Sequence, residues 1–400
     1  LIDFFASHLA KLICSISSVF YNNHRKKIFM FFPLASVGGA ETVHGDIMAA
    51  LKDYKPSVFI RYKGNVWVSH AYARTQKAKK KGSTMLPFYK KYAKVVFLSD
   101  WFEAKRFARF TSAFYKSYLI QKINNTKNPV LIFWHRESID FLWESLKPNV
   151  KRIDIIHNLC AGNNEDKRYV NFDKIKQLDK RVTITKQLER KMIEWYNQEG
   201  IGKEYTEKLK TINHMVYIPE KLPKKEKGNM KILFVGRNVS EKRIHLIFQI
   251  AEKTKSCATY TLIGPASNEF KNIPANVNVL GEIINKEEIQ MYYSLTHCFI
   301  LTSVSEGFPK TIAEAMAFGC VPISVAVGGI TDVVCHNKNG ILIQTKNENE
   351  IVNDSVKEIN YLYNNFTLFN QLSYNAYISA KEEFAEKNFF SKWQQVIQEI

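Results

Sequence analysis

The chain reads as an α/β protein of two domains, and three observations carry that reading. Its 400 residues are 46% hydrophobic and 13% aromatic, enough for two or three packed cores and too apolar for a disordered chain. Short apolar runs alternate with charged, helix-compatible stretches, the pattern of parallel strands with covering helices. The alternation breaks at the polar segment Pro219 to Gly228 and then starts again.

The elements follow in order. After His24-Arg25-Lys26-Lys27 the run Ile28 to Phe32 predicts a buried strand. A glycine-bearing loop, Pro33 to Gly39, leads to a helix whose face is marked by Val43, Ile47 and Leu51. Further strands are predicted at Val58–Ile60, Val95–Leu98, Val130–Trp134, Ile153–Ile156 and Val182–Ile184. The second series is Lys231–Val235, Tyr260–Ile263, Val277–Leu280, Cys298–Leu301, Val321–Val325 and Ile341–Ile343. Helices at Arg243–Lys253, Lys286–Leu295 and Pro309–Phe318 separate some of them. The Pro/Lys stretch between the series suits a linker. The boundaries expected are an N-terminal helix at 1–26, a first domain at 27–218, a linker at 219–229, a second domain at 230–385 and a C-terminal helix at 386–400.

Ile2, Phe5, Leu9, Leu12 and Ile16 recur at helical spacing, and Asp3, His8 and Lys11 interrupt the apolar run. That makes an amphipathic helix, packed on the domain or lying in a membrane interface, rather than a spanning one.

The net charge of +19 is unevenly placed. Residues 1–200 carry 35 basic and 17 acidic side chains, residues 201–400 carry 22 and 21, and residues 51–100 alone carry 12 and 2. A basic half beside a neutral half suggests two different partners. The six cysteines contain no C-x-x-C and sit mainly among apolar residues. This is the usage of a reducing compartment, so a cytoplasmic location is expected. The P-loop, the G-x-G-x-x-G fingerprint, H-E-x-x-H, G-x-S-x-G and any Asp-x-Asp pair are all absent. The last absence argues against a metal held between neighbouring carboxylates and a diphosphate.

Chemistry concentrates in Ser303-Val-Ser-Glu306-Gly307-Phe308-Pro309-Lys310-Thr311-Ile-Ala-Glu314 through Gly319. The segment follows a strand and opens a helix, with Pro309 suited to the first helical position and Gly319 to the residue after the end. The N–H groups of Lys310, Thr311 and Ile312 would then face outward at a helix N-terminus, a site for a diphosphate. Glu306 and Glu314 could flank one ligand and accept sugar hydroxyls. The pair also resembles a hydrolase acid/base pair, but the anion-binding helix end disfavours that. Gly236-Arg237 and Lys242 bracket a loop at a strand's carboxyl end, where two cations would neutralise a diphosphate, or simply form a solvated loop. Gly38-Gly39-Ala40-Glu41 is a strand-to-helix turn that lets backbone approach a ligand.

Together these segments, with Gly281-Glu-Ile-Ile and Gly328-Gly329, resemble a GT-B glycosyltransferase of the retaining family 4 type. The resemblance is strong over 225–345 and weaker over 27–220. It implies two Rossmann-like domains with parallel sheets facing a central cleft, the last helix crossing back to the first domain. It implies transfer of a sugar from a nucleotide-diphosphate sugar, UDP or GDP, to a saccharide or lipid-linked saccharide in cell-surface polysaccharide or glycolipid synthesis. Retention at the anomeric carbon is implied, and no cofactor or metal is needed.

Residue by residue, Glu306 matches the glutamate on the donor sugar and Glu314 the one on the ribose. Arg237 and Lys242 match the cations on the diphosphate. Gly38 and Gly39 match the loop that closes on the phosphates, and Gly307, Phe308, Pro309, Lys310 and Thr311 complete the donor loop. His157 looks like the histidine lining the reaction centre, with His135 as its rival. The catalytic set implied is therefore Glu306, His157, Arg237 and Lys242. Asn158 stands where the family often has Asp, Arg243 where Gly is common, and Thr296-His297 where Ala-Asp is frequent. The cluster Lys77, Lys79, Lys80, Lys81, Lys90, Lys91 and Lys94, interleaved with Phe88, Tyr89 and Tyr92, suits an anionic membrane surface on the inner face of the cell membrane. A GT-B epimerase or phosphorylase, and a basic nucleic-acid-binding protein, are the competing classes. No nucleic-acid recognition motif supports the second.

Overall fold

A computed structural model describes residues 3, 5–10, 13, 26–33, 35, 39–61, 85–98, 108–134, 139–157 and 172–400. The chain forms two compact units: Leu1–Thr183 with Met192–Ile212 and Phe390–Ile400, and Ile184–Lys191 with Asn213–Phe389.

The first unit is built on β1 (Lys27–Phe32), β2 (Ser57–Ile60), β3 (Lys94–Phe97), β4 (Pro129–Trp134), β5 (Lys151–Ile156), β6 (Lys180–Thr183) and β7 (Leu209–Thr211). All pairs are parallel, in the order β3-β2-β1-β4-β5-β6-β7. The central strands read as continuous apolar runs because both faces are covered. In α1 (Gly39–Ala50), Val43 and Ile47 are buried, and Leu51 just beyond it is buried too. The expected strands of this unit are all present but begin one or two residues earlier, because polar or proline residues open them ahead of the apolar run. The largest shifts are in β5, which starts at Lys151, and β6, which starts at Lys180; β7, with sequence Leu-Lys-Thr, was missed because three residues with one buried side chain leave no periodic signal.

The amino edge of this sheet is lined with lysines. Lys27, Lys94, Lys151 and Lys180 open their strands, and Lys55 stands two residues before β2. On one half the charges are compensated, Lys151 by Asp179 at 2.8 Å and Lys180 by Glu399 at 2.7 Å. On the other half Lys52, Lys55, Lys94 and Lys122 have no carboxylate partner among the described residues. There the Lys27 ammonium is pushed below its ordinary pKa by partial burial and by Lys122, Lys55 and Lys94.

Near the N-terminus residues 3, 5–10 and 13 are helical. The face turned inward is Ala6 and Ala10, while Phe5, Leu9 and Ile13 are 60%, 45% and 41% exposed.

The second unit holds β8 (Met230–Val235), β9 (Ala258–Ile263), β10 (Val277–Gly281), β11 (Cys298–Leu301), β12 (Val321–Val325) and β13 (Ile341–Ile343), again all parallel, in the order β10-β9-β8-β11-β12-β13. The strand order reverses between β8 and β11, and ligands in such sheets bind at the carboxyl ends beside that point. Covering helices include α2 (Ile244–Lys253), α3 (Lys286–Leu295), α4 (Lys310–Ala317), α5 (Glu348–Asn364) and α6 (Phe366–Glu383). The stretch expected as a linker lies in this unit and is pinned to it. Tyr377 Oη donates to the Pro219 and Glu220 carbonyls, and the buried Lys225 ammonium donates to those of Tyr293 and Ser294 at the end of α3.

Candidate active site

The loops that follow β8 and β11 flank the reversal point, because these two strands are hydrogen-bonded neighbours. The β8 loop carries Gly236, Arg237 and Lys242, and the β11 loop carries Ser303 to Pro309. Lys242 Nζ forms an ion pair with Glu306 Oε1, and Ser303 Oγ donates to the same oxygen at 2.6 Å. Lys242 is 21% and Glu306 11% exposed, so the pair is partly screened from water and correspondingly strong. The two residues, 64 apart in sequence, thus meet as one cation–carboxylate centre. Arg237 is exposed on the same loop and makes no ion pair among the described residues.

The Glu306 loop is held from below by glycines. Gly329 N–H donates to the Gly307 carbonyl at 2.7 Å. Gly328 has φ +55°, and a Cβ there would stand 1.7 Å from the Glu306 carbonyl oxygen. Phe308 is a core anchor, its ring stacked on Phe384 at 5.4 Å.

The helix that follows differs by one residue from the sequence expectation. Pro309 is the N-cap and Lys310 the first residue of α4, because Pro309 keeps an extended ψ of 115°. Its carbonyl accepts the Ile312 N–H at 2.9 Å, so that N–H is not one of the open donors expected at this helix end. The far end follows the expectation. Gly319 has φ +71°, its N–H donates to the Met316 carbonyl, and Cys320 N–H donates to that of Ala315, a Schellman closure.

Glu314, within α4, accepts a hydrogen bond from Tyr293 Oη at 3.1 Å. Burial and the Glu314 charge push the Tyr293 phenol well above its ordinary pKa, so it stays a donor. Beside these, Gly236 N–H donates to the Ile263 carbonyl and Gly264 N–H to that of Gly281, which zips the ends of β8, β9 and β10 together. The segments that follow β9 and β10 are thereby neighbours.

In the first unit Gly39 opens α1, while Gly38, His135, Asn158 and Lys77–Lys81 lie outside the described residues. His157 follows β5 and is buried. Its Nε2 stands 3.1 Å from Nε2 of the buried His44, whose ring stacks on Phe32 at 3.9 Å. One ring must donate and the other accept, so the pair carries at most one charge while the bond stands. Trp134 meets both rings at 5.0 Å.

Sequence reasoning gave no role to His44 or Tyr293, and it named Ser303 only as the start of the motif, without its bond to Glu306. His44 lay beside Val43 on a helix already assigned to packing, and nothing in the spacing tied Tyr293 to Glu314.

Two Rossmann-like units, each with a parallel α/β sheet, define the fold class as GT-B. The similarities extend to sequence: residues 218–378 match the family model Glycosyl transferases group 1. The chain is 26% identical over 208 residues to an uncharacterized glycosyltransferase of Haemophilus influenzae, covering 48% of this chain and 57% of that protein. It is 24% identical over 297 residues to a poly(ribitol-phosphate) alpha-N-acetylglucosaminyltransferase of Staphylococcus aureus, covering 69% and 56%. It therefore spans less than two thirds of the length of these curated relatives. Among solved structures, Anabaena HepE in complex with UDP superposes with a TM-score of 0.69 at 15% identity, covering 94% of this chain and 100% of that one. TarM superposes with 0.68 at 15%, covering 94% and 99%.

Proposed function

We propose that the chain is a glycosyltransferase that moves a hexose-type sugar from a nucleotide-diphosphate sugar to a saccharide or lipid-linked saccharide, with retention at the anomeric carbon, as in family 4. The observation that carries this reading is the Lys242–Glu306 centre at the carboxyl edge of a parallel sheet, one turn before the N-terminus of α4. A cation, a helix N-terminus and a carboxylate at one point suit a ligand with a diphosphate at one end and hydroxyls at the other.

In this reading Lys242, Arg237 and the N-terminus of α4 take the diphosphate and stabilise the charge it gains as it leaves. Glu306, released from Lys242, accepts hydroxyls of the sugar, and Glu314, aimed by Tyr293, holds the ribose. His157 lines the acceptor side, with Gly38 and Gly39 closing on the phosphates. UDP is the favoured nucleotide over GDP, since the Anabaena relative was solved with UDP and with UDP-glucose. Cofactors and metals have no step in this scheme.

The same reading places the protein against the inner face of the cell membrane, in polysaccharide or glycolipid synthesis. Two features support it, the uncompensated lysines on the amino edge of the first sheet and the exposed Phe5, Leu9 and Ile13 stripe. Among the described residues no helix is long and apolar enough to cross a membrane.

A thermal-shift panel of UDP-, GDP-, ADP- and CDP-sugars tests the reading. A single stabilising nucleotide sugar, with free nucleotide diphosphate released only when acceptor is present, is the expected result. Release without acceptor points to an epimerase or phosphorylase. Salt-sensitive binding to DNA or RNA with no response to nucleotide sugars would replace the reading with nucleic-acid binding.

A further inference from the structure

Arg243 stands next to Lys242 and has a conformation that costs a residue with a Cβ free energy, φ 48° and ψ 49°. Glycine would adopt this backbone without strain. The side chain shows what the strain supports. Arg243 is 8% exposed, its Nε donates to the Thr302 carbonyl at 2.6 Å, and its Nη2 donates to the Ser303 carbonyl at 3.3 Å. Return bonds run the other way. Thr302 Oγ1 donates to the carbonyls of Lys242 and Arg243 at 2.8 and 3.1 Å, and Val304 N–H donates to that of Glu241 at 2.8 Å.

Glu241 to Arg243 and Thr302 to Val304 are thus stitched together across the reversal point of the sheet. The stitch ends on the active centre, because Ser303, whose carbonyl Arg243 holds, presents its hydroxyl to Glu306. Glu348 sits 3.8 Å from the guanidinium and balances its charge from the far side. A planar fork with several donors reaches two successive carbonyls; an ammonium reaches one at good geometry, and glycine none.

We infer that Arg243 is a positioning residue: it fixes the loop bearing Glu306 against the loop bearing Lys242, so that carboxylate and ammonium face one bound donor in a set geometry. The inference rests on the reading of Lys242 and Glu306 as the donor centre.

The test compares Arg243→Gly and Arg243→Lys with the unchanged protein. Glycine suits the backbone, so Arg243→Gly is expected to fold with a melting temperature within a few degrees of the parent. The amide of Val304 is then expected to exchange hydrogen at least tenfold faster. kcat with a nucleotide sugar is expected to fall about 30-fold or more, with a smaller change in donor KM, as for misplacement of groups that act in the transition state. Arg243→Lys is expected to recover part of the kcat and part of the Val304 protection. Unchanged kcat together with unchanged Val304 exchange in Arg243→Gly overturns the inference. So does a fall in melting temperature with kcat intact, which would mark Arg243 as a stabilising residue only. Failure of the parent reading shows differently: the unchanged protein itself would bind and turn over no nucleotide sugar, while the exchange result would still report on the clamp.

Discussion

Replacing Gly328 by alanine perturbs the loop that bears Glu306 without replacing a side chain of the candidate site. Two costs add. The backbone at φ +55° is disfavoured for any residue with a Cβ, by about 1–2 kcal/mol. The new Cβ would lie 1.7 Å from the Glu306 carbonyl oxygen and 2.8 Å from its carbon, which are backbone atoms that cannot rotate away. Relieving such an overlap costs about 1–3 kcal/mol more. The sum, roughly 2–5 kcal/mol, corresponds to a fall of roughly 5–15 °C in the melting temperature of a unit of this size. Because the displaced atoms belong to Glu306, nucleotide-sugar binding should weaken along with stability. Gly200→Ala is the control. Gly200 has φ +68°, but a Cβ at that position would meet nothing within 4 Å, so only the backbone cost of about 1–2 kcal/mol applies. Differential scanning fluorimetry and donor titration on both variants read the contrast. Equal, small effects would refute the claim that the Gly328 turn supports Glu306.

Other outcomes follow from the same geometry. Tyr293→Phe removes the donor to Glu314 and should raise the dissociation constant for the nucleotide about tenfold, as for a hydrogen bond to a charged group, by calorimetric titration, with kcat little changed. The triple change Lys52→Ala, Lys55→Ala and Lys94→Ala should weaken co-sedimentation with anionic vesicles about 100-fold at low salt, at about fivefold per lysine, and leave transfer to a soluble acceptor intact. Equal binding by parent and variant would remove the membrane role of that edge.

Most of the second unit was legible in the sequence, and particular residues show why. The strands Cys298–Leu301 and Ile341–Ile343 are buried throughout and each is an uninterrupted apolar run, while Val321–Val325 is equally buried but carries Ser324 within its run. Lys286–Leu295 carries its own start signal, since Asn285 caps it through the Glu288 N–H. The limits of the reading are physical too. Pro309 fits both a first helical residue and a cap, and only its ψ decides. β7 is too short to show a period. The candidate site residues Lys242 and Glu306 were visible as chemical types in loops after strands, and Glu314 as one within a helix. The contacts that aim them were not, because Arg243 to Thr302 and Tyr293 to Glu314 depend on which strands become neighbours. The lysine edge is similar: the members without a carboxylate are scattered from Lys27 to Lys122 and become a cluster only when the sheet orders β3, β2, β1 and β4 side by side.

The central claim, that Lys242 and Glu306 form the donor centre, is tested most directly by steady-state transfer with the stabilising nucleotide sugar in Lys242→Ala and Glu306→Ala. The account predicts that each loses turnover by about 100-fold or more, as when a preorganised electrostatic group is removed, with circular dichroism unchanged. Near-normal turnover in either variant would contradict it.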